Sequence, residues 1–500
     1  MEYIHFYLSA ITYENERTNN YKEPWLSYTL ETQDVNFNKD PYLFKPFTIQ
    51  SLGTGNLTWS LGDKTVQYSK NGGEWATMNS STTINMVEGD VVEFKGTNSN
   101  YMNNRIISTM NYDVMGNIMS LTDGDDFENS DTLNENAFRS GMFYNLSESQ
   151  YGPVNAKNLK LPATNLTVRC YLNFFKNCYN LVTAPELPAT TLVERCYTQM
   201  FEGCKNLKRA PELPATTIAV SCYQHMFSYC EKIRKAPELP ATIMADNCYF
   251  CMFQLCKGIT TPPELPATTL ATGCYKQMFY GCKNLTTAPA LPATTLAEAC
   301  YQYMFYSCST ITRAPELPAT TMATSAYTSM FAACPNLTMV PELPATALAP
   351  FCYYCMFMDC SKLNNIPSAL PATTLAEKCY TGMFQGCTSL TTPPILPATT
   401  LSDNCYWAMF KRCVGIVTAP DLPATTLVSY CYDHMFEGCT NLNYIKAMFL
   451  TQPSEAYTDN WVTGVGNSGT FVKNSAATWE ITQDRNDSIP DGWTIETASS

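Results

Sequence analysis

The tetrapeptide Leu-Pro-Ala-Thr occurs eleven times between Leu161 and Leu422, and each step between copies is 26 residues except one of 27. Such regularity constrains the chain more than any bulk property. Each copy must mark one supersecondary unit that cannot bury its apolar face alone and must stack on its neighbours. The longer step falls near Ser368, where IPSALPAT replaces the usual APELPAT, and predicts a bulged loop within an unbroken stack.

One unit, Leu291 to Glu316, reads LPATTLAEACYQYMFYSCSTITRAPE. Leu296, Cys300, Met304 and Cys308 recur every four residues with Tyr301 and Phe305 beside them, a spacing that predicts an apolar helical stripe. Thr295 with Glu298, Thr191 with Glu194 and Thr374 with Glu377 have the spacing of a capping box and would start that helix. After the second cysteine comes a short run such as Asn206 to Ala210, closed by Pro211. Proline lacks a backbone donor, so a strand here spans about three or four residues.

A short strand plus a helix in each such unit is the leucine-rich-repeat plan. The expected fold is an α/β leucine-rich-repeat solenoid of eleven 26-residue units, with a small N-terminal all-β domain and a β-rich C-terminal cap. Residues 1–44 read as an N-terminal arm or strands, a candidate attachment segment. Runs such as Leu57 to Ser60, Val66 to Ser69 and Asp90 to Phe94 predict a small β-sandwich-like domain over 45–105. Residues 106–160 form a degenerate cap repeat, in which Ala137-Phe138 and Met142-Phe143 echo the repeat pairs. The solenoid occupies 161–450, and 451–500 leave the repeat as a cap.

All 23 cysteines lie inside the repeats, in two columns that run from Cys170 and from Cys178, with Cys251 and Cys355 as extras. A ladder of disulfides is one reading. Eight residues of helix would separate the two columns by about 12 Å, beyond the ~7 Å limit on Cα separation, so pairing within a unit is excluded if the helix forms. Ala326 replaces one first-column cysteine, which keeps a small apolar group and discards the thiol. Buried free thiols packing as small hydrophobes are the expected state. The two C-x-x-C pairs, Cys248 with Cys251 and Cys352 with Cys355, lie far apart and no histidine accompanies them, which argues against structural zinc.

With a net charge of −13, the chain lacks the clustered basic residues of a nucleic-acid binder. No apolar run is long enough to span a membrane. No nucleophile-base-acid set or phosphate loop appears, no cofactor is expected, and the chain reads as a non-enzyme. Of the three histidines, His225 and His434 share one repeat position, and His5 lies in the arm.

The units resemble the BspA-like leucine-rich-repeat surface proteins. EGCKNL, Glu202 to Leu207, and QGCTSL, Gln385 to Leu390, match the family's G-C-x-x-L strand entry, and the LPATTL phrase is similar to a variant of gut Bacteroidota and their phages. The resemblance covers residues 105 to 500 and implies adhesion to a host or partner surface. Bacterial surface members carry an export signal, whereas this sequence begins Met1-Glu2-Tyr3. The expectation is therefore a receptor-binding component of a phage virion, of tail or head fibre type, assembled in the host cytoplasm. A bacterial cell-surface adhesin and a purely structural virion decoration are the alternatives.

If recurring positions are scaffold, specificity falls to those that vary. Two positions follow the strand leucine, and they carry Lys208, Arg209, Arg234, Lys235, Arg313, Asn364, Asn365 and Tyr444. By strand alternation one of each pair should face outward. The basic four suit an anionic glycan or acidic protein receptor, or else they neutralise the column Glu186, Glu212, Glu238 and Glu264. A calcium site on that column lacks an Asp-rich loop. Partners expected are a protein or glycan receptor on a bacterial or host surface, other virion proteins through the N-terminal region, and a second copy of the chain. The Asn-Leu-Thr sequons at Asn284 and Asn336 are by-products of the repeat phrase.

Overall fold

The computed structural model describes residues 40–144, 150–479 and 487–498. Nearly all of the arm expected over residues 1–44 therefore lies outside the described residues. From Tyr42 onward they form one compact unit.

The N-terminal part is built from β1 (Phe47–Ser51), β2 (Gly55–Trp59), β3 (Val66–Lys70), β4 (Ala76–Met78), β5 (Thr83–Met86), β6 (Val91–Lys95), β7 (Ile106–Ser108) and β8 (Tyr112–Asn117). One sheet has the order β4-β3-β6-β1-β8-β9, where β9 is Leu159–Lys160, and the other has the order β5-β2-β7. In β6 burial alternates residue by residue, so Val92 and Phe94 face a core shared with Phe47 and Trp59. β1 pairs antiparallel with both β6 and β8. β8 then pairs parallel with β9, Gly116 opposite Leu159, which carries the sheet onto the first repeat.

The repeats correct the expected helix. Among their described residues there is no α-helix; the segment is a chain of overlapping tight turns. Within one unit the N–H groups of Cys196, Thr198, Met200, Glu202 and Cys204 each donate to the carbonyl three residues back. The alternate N–H groups, of Arg195, Tyr197, Gln199, Phe201 and Gly203, donate to carbonyls of the next unit, from Val220 to Ser228. Every donor is used, half locally and half between units, which is the accounting a buried backbone must satisfy.

Arg195, Gln199 and Gly203 sit at φ of 55°, 57° and 77°, each the third residue of a turn, as a type II geometry requires. The turn chain repeats every four residues, whereas a helix repeats every 3.6. A stripe at strict four-residue spacing drifts about 40° per step around a helix and not at all along these turns. The stripe Leu296, Cys300, Met304 and Cys308 is thus explained by turns, and so is the glycine of EGCKNL: Gly203 occupies a left-handed position that glycine adopts at least cost.

The threonines assigned to capping boxes also have another role. Thr191 bridges Thr217, Thr269 bridges Thr295, and Thr374 bridges Thr400, all in parallel. A second row of parallel bridges includes Thr183 with Arg209, Lys235 with Thr261, and Met339 with Asn365. Prolines such as Pro185 and Pro188 lie between the rows and stop either from extending, so the expected three- or four-residue strands shrink to single bridges.

Side chains between these walls form columns. Tyr171 stacks on Tyr197 at 5.8 Å, and the tyrosine column continues to Tyr432 at similar spacing. Phenylalanines stack beside it, as Phe201 on Phe227 at 5.6 Å. Both columns start before the Leu-Pro-Ala-Thr phrase, since Phe138 stacks on Tyr171 and Phe143 on Phe175. The rings reach back through Tyr101 to Trp59, so the β-sheets and the repeats share one core. All 23 cysteines are free and buried.

After the last phrase the backbone keeps the repeat although the Leu-Pro-Ala-Thr signature is gone. Phe436 and Gly438 donate to the carbonyls of Trp461 and Thr463, and Asn460 and Gly464 again have positive φ. Trp461 closes the ring columns against Tyr432 and Phe436. A parallel sheet of β10 (Tyr444–Ala447), β11 (Thr470–Lys473) and β12 (Thr494–Thr497) lies beside it. Among the described residues no helix is long and apolar enough to cross a membrane.

Candidate binding surface

Each unit enters this surface through a buried leucine or isoleucine such as Leu207 or Ile233. The next two residues turn outward together. Lys208 and Arg209, Arg234 and Lys235, and Asn364 and Asn365 are exposed at both members of the pair, as is Arg313. This corrects the expected alternation, which needs an extended strand; a lone bridge closed by proline leaves both side chains in solvent. Tyr444 differs, because it begins β10, bridges Thr418 and is half-buried.

The structure brings these residues onto two adjoining columns of one face. Arg209, Lys235, Arg313, Asn365 and Tyr444 share the bridge column, and Lys208, Arg234 and Asn364 precede them. Lys208, Arg209, Arg234 and Lys235 occupy two neighbouring units. Arg313 lies three units further on, the two asparagines two beyond it, and Tyr444 three more. A shallow depression holds Lys157, Lys208 and Arg209 beside Glu186, Glu212 and the proline corners, and a similar one holds Arg313 with Glu316. Lys235 meets Glu238 at 3.5 Å, with both side chains more than two-thirds exposed. A pair so wet contributes little, so both groups remain open to a partner.

The recurring leucine, alanine, cysteine, tyrosine, methionine and phenylalanine residues are interior, whereas the glutamate, second proline and threonines of the phrase, such as Glu186, Pro188 and Thr190, are exposed. Tyr197 and Tyr301 are 1% exposed, and Met304 and Phe305 are fully buried. Burial pushes the Cys300 thiol up to about 12, which keeps it protonated and a poor nucleophile.

Sequence reasoning missed two surface clusters. Tyr280 and Tyr306 stack at 4.9 Å with Tyr303 edge-on to Tyr306, half-buried on the outer edge of the turns. Further along, Asp433, His434 and Asp459 place one ligand-capable atom each within 4.8 Å of one another. Trp407 Nε1 donates to Asp433 Oδ2 at 3.1 Å. Burial raises the Asp433 carboxyl, and His434 pulls the other way. The signal was present: Asp459 follows Asp433 by 26 residues, one repeat, once the register is carried past the last Leu-Pro-Ala-Thr.

Parallel bridges, proline corners and a stacked interior anchored by leucines define a leucine-rich-repeat solenoid. The chain belongs to the BspA type leucine-rich repeat family, whose model matches residues 125–260, 247–364, 274–413 and 353–454. Among solved structures it is similar to a leucine-rich repeat protein from Bacteroides ovatus, at 19% identity and a TM-score of 0.42, covering 70% of this chain and 88% of that one. No curated protein matches the chain.

Proposed function

We propose that this chain is a non-enzymatic adhesion protein of a bacterial cell surface, in which the stacked repeat units present one face to a protein or glycan receptor. The observation that carries this reading is the separation of roles within each unit. The repeated apolar residues are buried, while the two variable columns that include Lys208, Arg209, Arg234 and Lys235 are exposed side by side. BspA type repeats are commonly found in surface adhesion and protein-binding proteins, which favours the cell surface over the virion expected from the sequence; no relative speaks for a virion role. A face with basic residues set among glutamates and prolines suits an acidic or sulfated partner, whose binding salt would weaken.

The test is binding of the purified chain to glycan arrays and to whole bacterial and host cells, beside a variant with Lys208, Arg209, Arg234 and Lys235 changed to threonine. Saturable binding that falls at least tenfold in the variant supports the reading. Absence of binding to every surface, or hydrolysis of a glycan, would overturn it.

A further inference from the structure

We propose that Asp433, His434 and Asp459 form a site for a divalent transition cation of the zinc class, joining one rung of the turn ladder to the next. His434 Nδ1 lies 3.1 Å from Asp433 Oδ1, each atom is buried, and neither makes a well-aligned hydrogen bond to any other group. Asp433 is 5% exposed. Two ligand atoms on one zinc ion, at bond lengths near 2.0–2.1 Å, stand roughly 3.3 Å apart, so the pair is spaced as a coordination edge. The third ligand comes from the following rung, where the His434 N–H donates to the Asp459 carbonyl at 2.7 Å and brings the Asp459 carboxylate alongside.

The surroundings match what a metal ligand set needs. Trp407 Nε1–H holds Asp433 Oδ2 and leaves Oδ1 for the ion. Glu437 Oε2 stands 3.6 Å from His434 Nε2, on the far side of the ring, where a carboxylate orients a metal-bound imidazole. Lys411 pairs with Glu437 at 2.6 Å and so is engaged away from the aspartates. Two carboxylates stand close together there, and one divalent ion balances their charge. The imidazole and the small donor set favour zinc-class ions over calcium, which takes six to eight oxygens. His225 occupies the equivalent place in an early unit, where Ser228 faces its Nδ1 at 3.2 Å and Gln224 stands in place of Asp433, so it serves as an internal control.

The experiment is calorimetric titration of the full chain, stripped with a chelator, with zinc chloride alone, and with cobalt chloride followed by visible absorption. The expected result is one equivalent bound and a cobalt spectrum without a thiolate charge-transfer band. Asp459→Asn and His434→Gln each weaken binding at least tenfold with unchanged melting of the metal-free protein, and His225→Gln binds as the parent does. Failure of the parent chain to take up either ion would overturn the proposal. So would a thiolate band at one equivalent, or undiminished uptake by folded Asp459→Asn. The cobalt spectrum of the parent decides the matter even if a variant fails to fold.

Discussion

The thiol of Cys204 donates to the carbonyl of Phe175, 3.1 Å away in the preceding unit. The same bond recurs from Cys230 to Phe201, from Cys282 to Phe253 and onward to Cys439 with Phe410. Second-column cysteines therefore act as fasteners between units, whereas Cys300 in the first column makes no such short bond to a neighbouring unit, and Cys405 reaches the Cys431 carbonyl only at 3.9 Å. Changing Cys282 to alanine should cost about 1 kcal/mol more than changing Cys300 to alanine, the worth of one net hydrogen bond. Paired urea unfolding curves measure the difference. Ala326, found naturally in the first column, already indicates its tolerance.

The hydroxyl of Tyr171 is buried without a partner. Phe138, the next ring in the same column, has no hydroxyl to satisfy. Tyr171→Phe should therefore leave stability unchanged or raise it by up to about 1 kcal/mol. Tyr301→Ala, which empties a rung of the column, should cost about 3 to 5 kcal/mol. Thermal melts of the two variants give opposite or sharply unequal shifts.

Alkali should unfold the protein. The folded state raises Cys300 from 9.0 to about 12, and Cys170 and Cys248 likewise. A group whose folded value is raised binds its proton more tightly when folded, so its contribution is complete below pH 9 and is lost as pH climbs toward 12. Each such thiol contributes a slope of about 1.4 kcal/mol per pH unit in that window. Stability measured from pH 7 to 11 should be flat at first and then fall steeply. A flat profile to pH 11 would count against the buried thiols.

Exposed side chains on the variable face should be dispensable for folding. Replacing Lys208, Arg209, Arg234 and Lys235 with threonine, a residue found in both columns at 260 and 261, should change stability by no more than about 0.5 kcal/mol per site. Chemical denaturation checks this, and it separates loss of binding from loss of fold.

The stack, its period and its interior were legible because burial repeats with the phrase: Leu207, Tyr197, Phe201 and Cys204 all fall where apolar patterning puts them. The turn chain was not, because a four-residue stripe lies close to helical spacing and Arg195 and Gln199, the left-handed residues, carry no glycine signal. Outward pairing at Lys208 and Arg209 depends on prolines that cut the strand to one bridge, which alternation does not foresee. The Asp433, His434 and Asp459 cluster stayed hidden because its third member lies past the last recognisable phrase. Backbone geometry continued there after the sequence signature had faded.

Stacked turns, not helices, hold the recurring apolar residues inside and leave the variable pairs free. Ala299 tests this most directly. It sits at φ 52°, third in its turn, where the preceding unit carries Gly273 at φ 58°. In a helix, alanine to glycine costs about 1 kcal/mol. At a left-handed position the same change relieves a backbone cost of about 1 to 2 kcal/mol against a smaller entropic loss. Denaturant unfolding of Ala299→Gly should show stability raised by up to about 1 kcal/mol. A loss of about 1 kcal/mol would contradict the turn ladder and restore the helix.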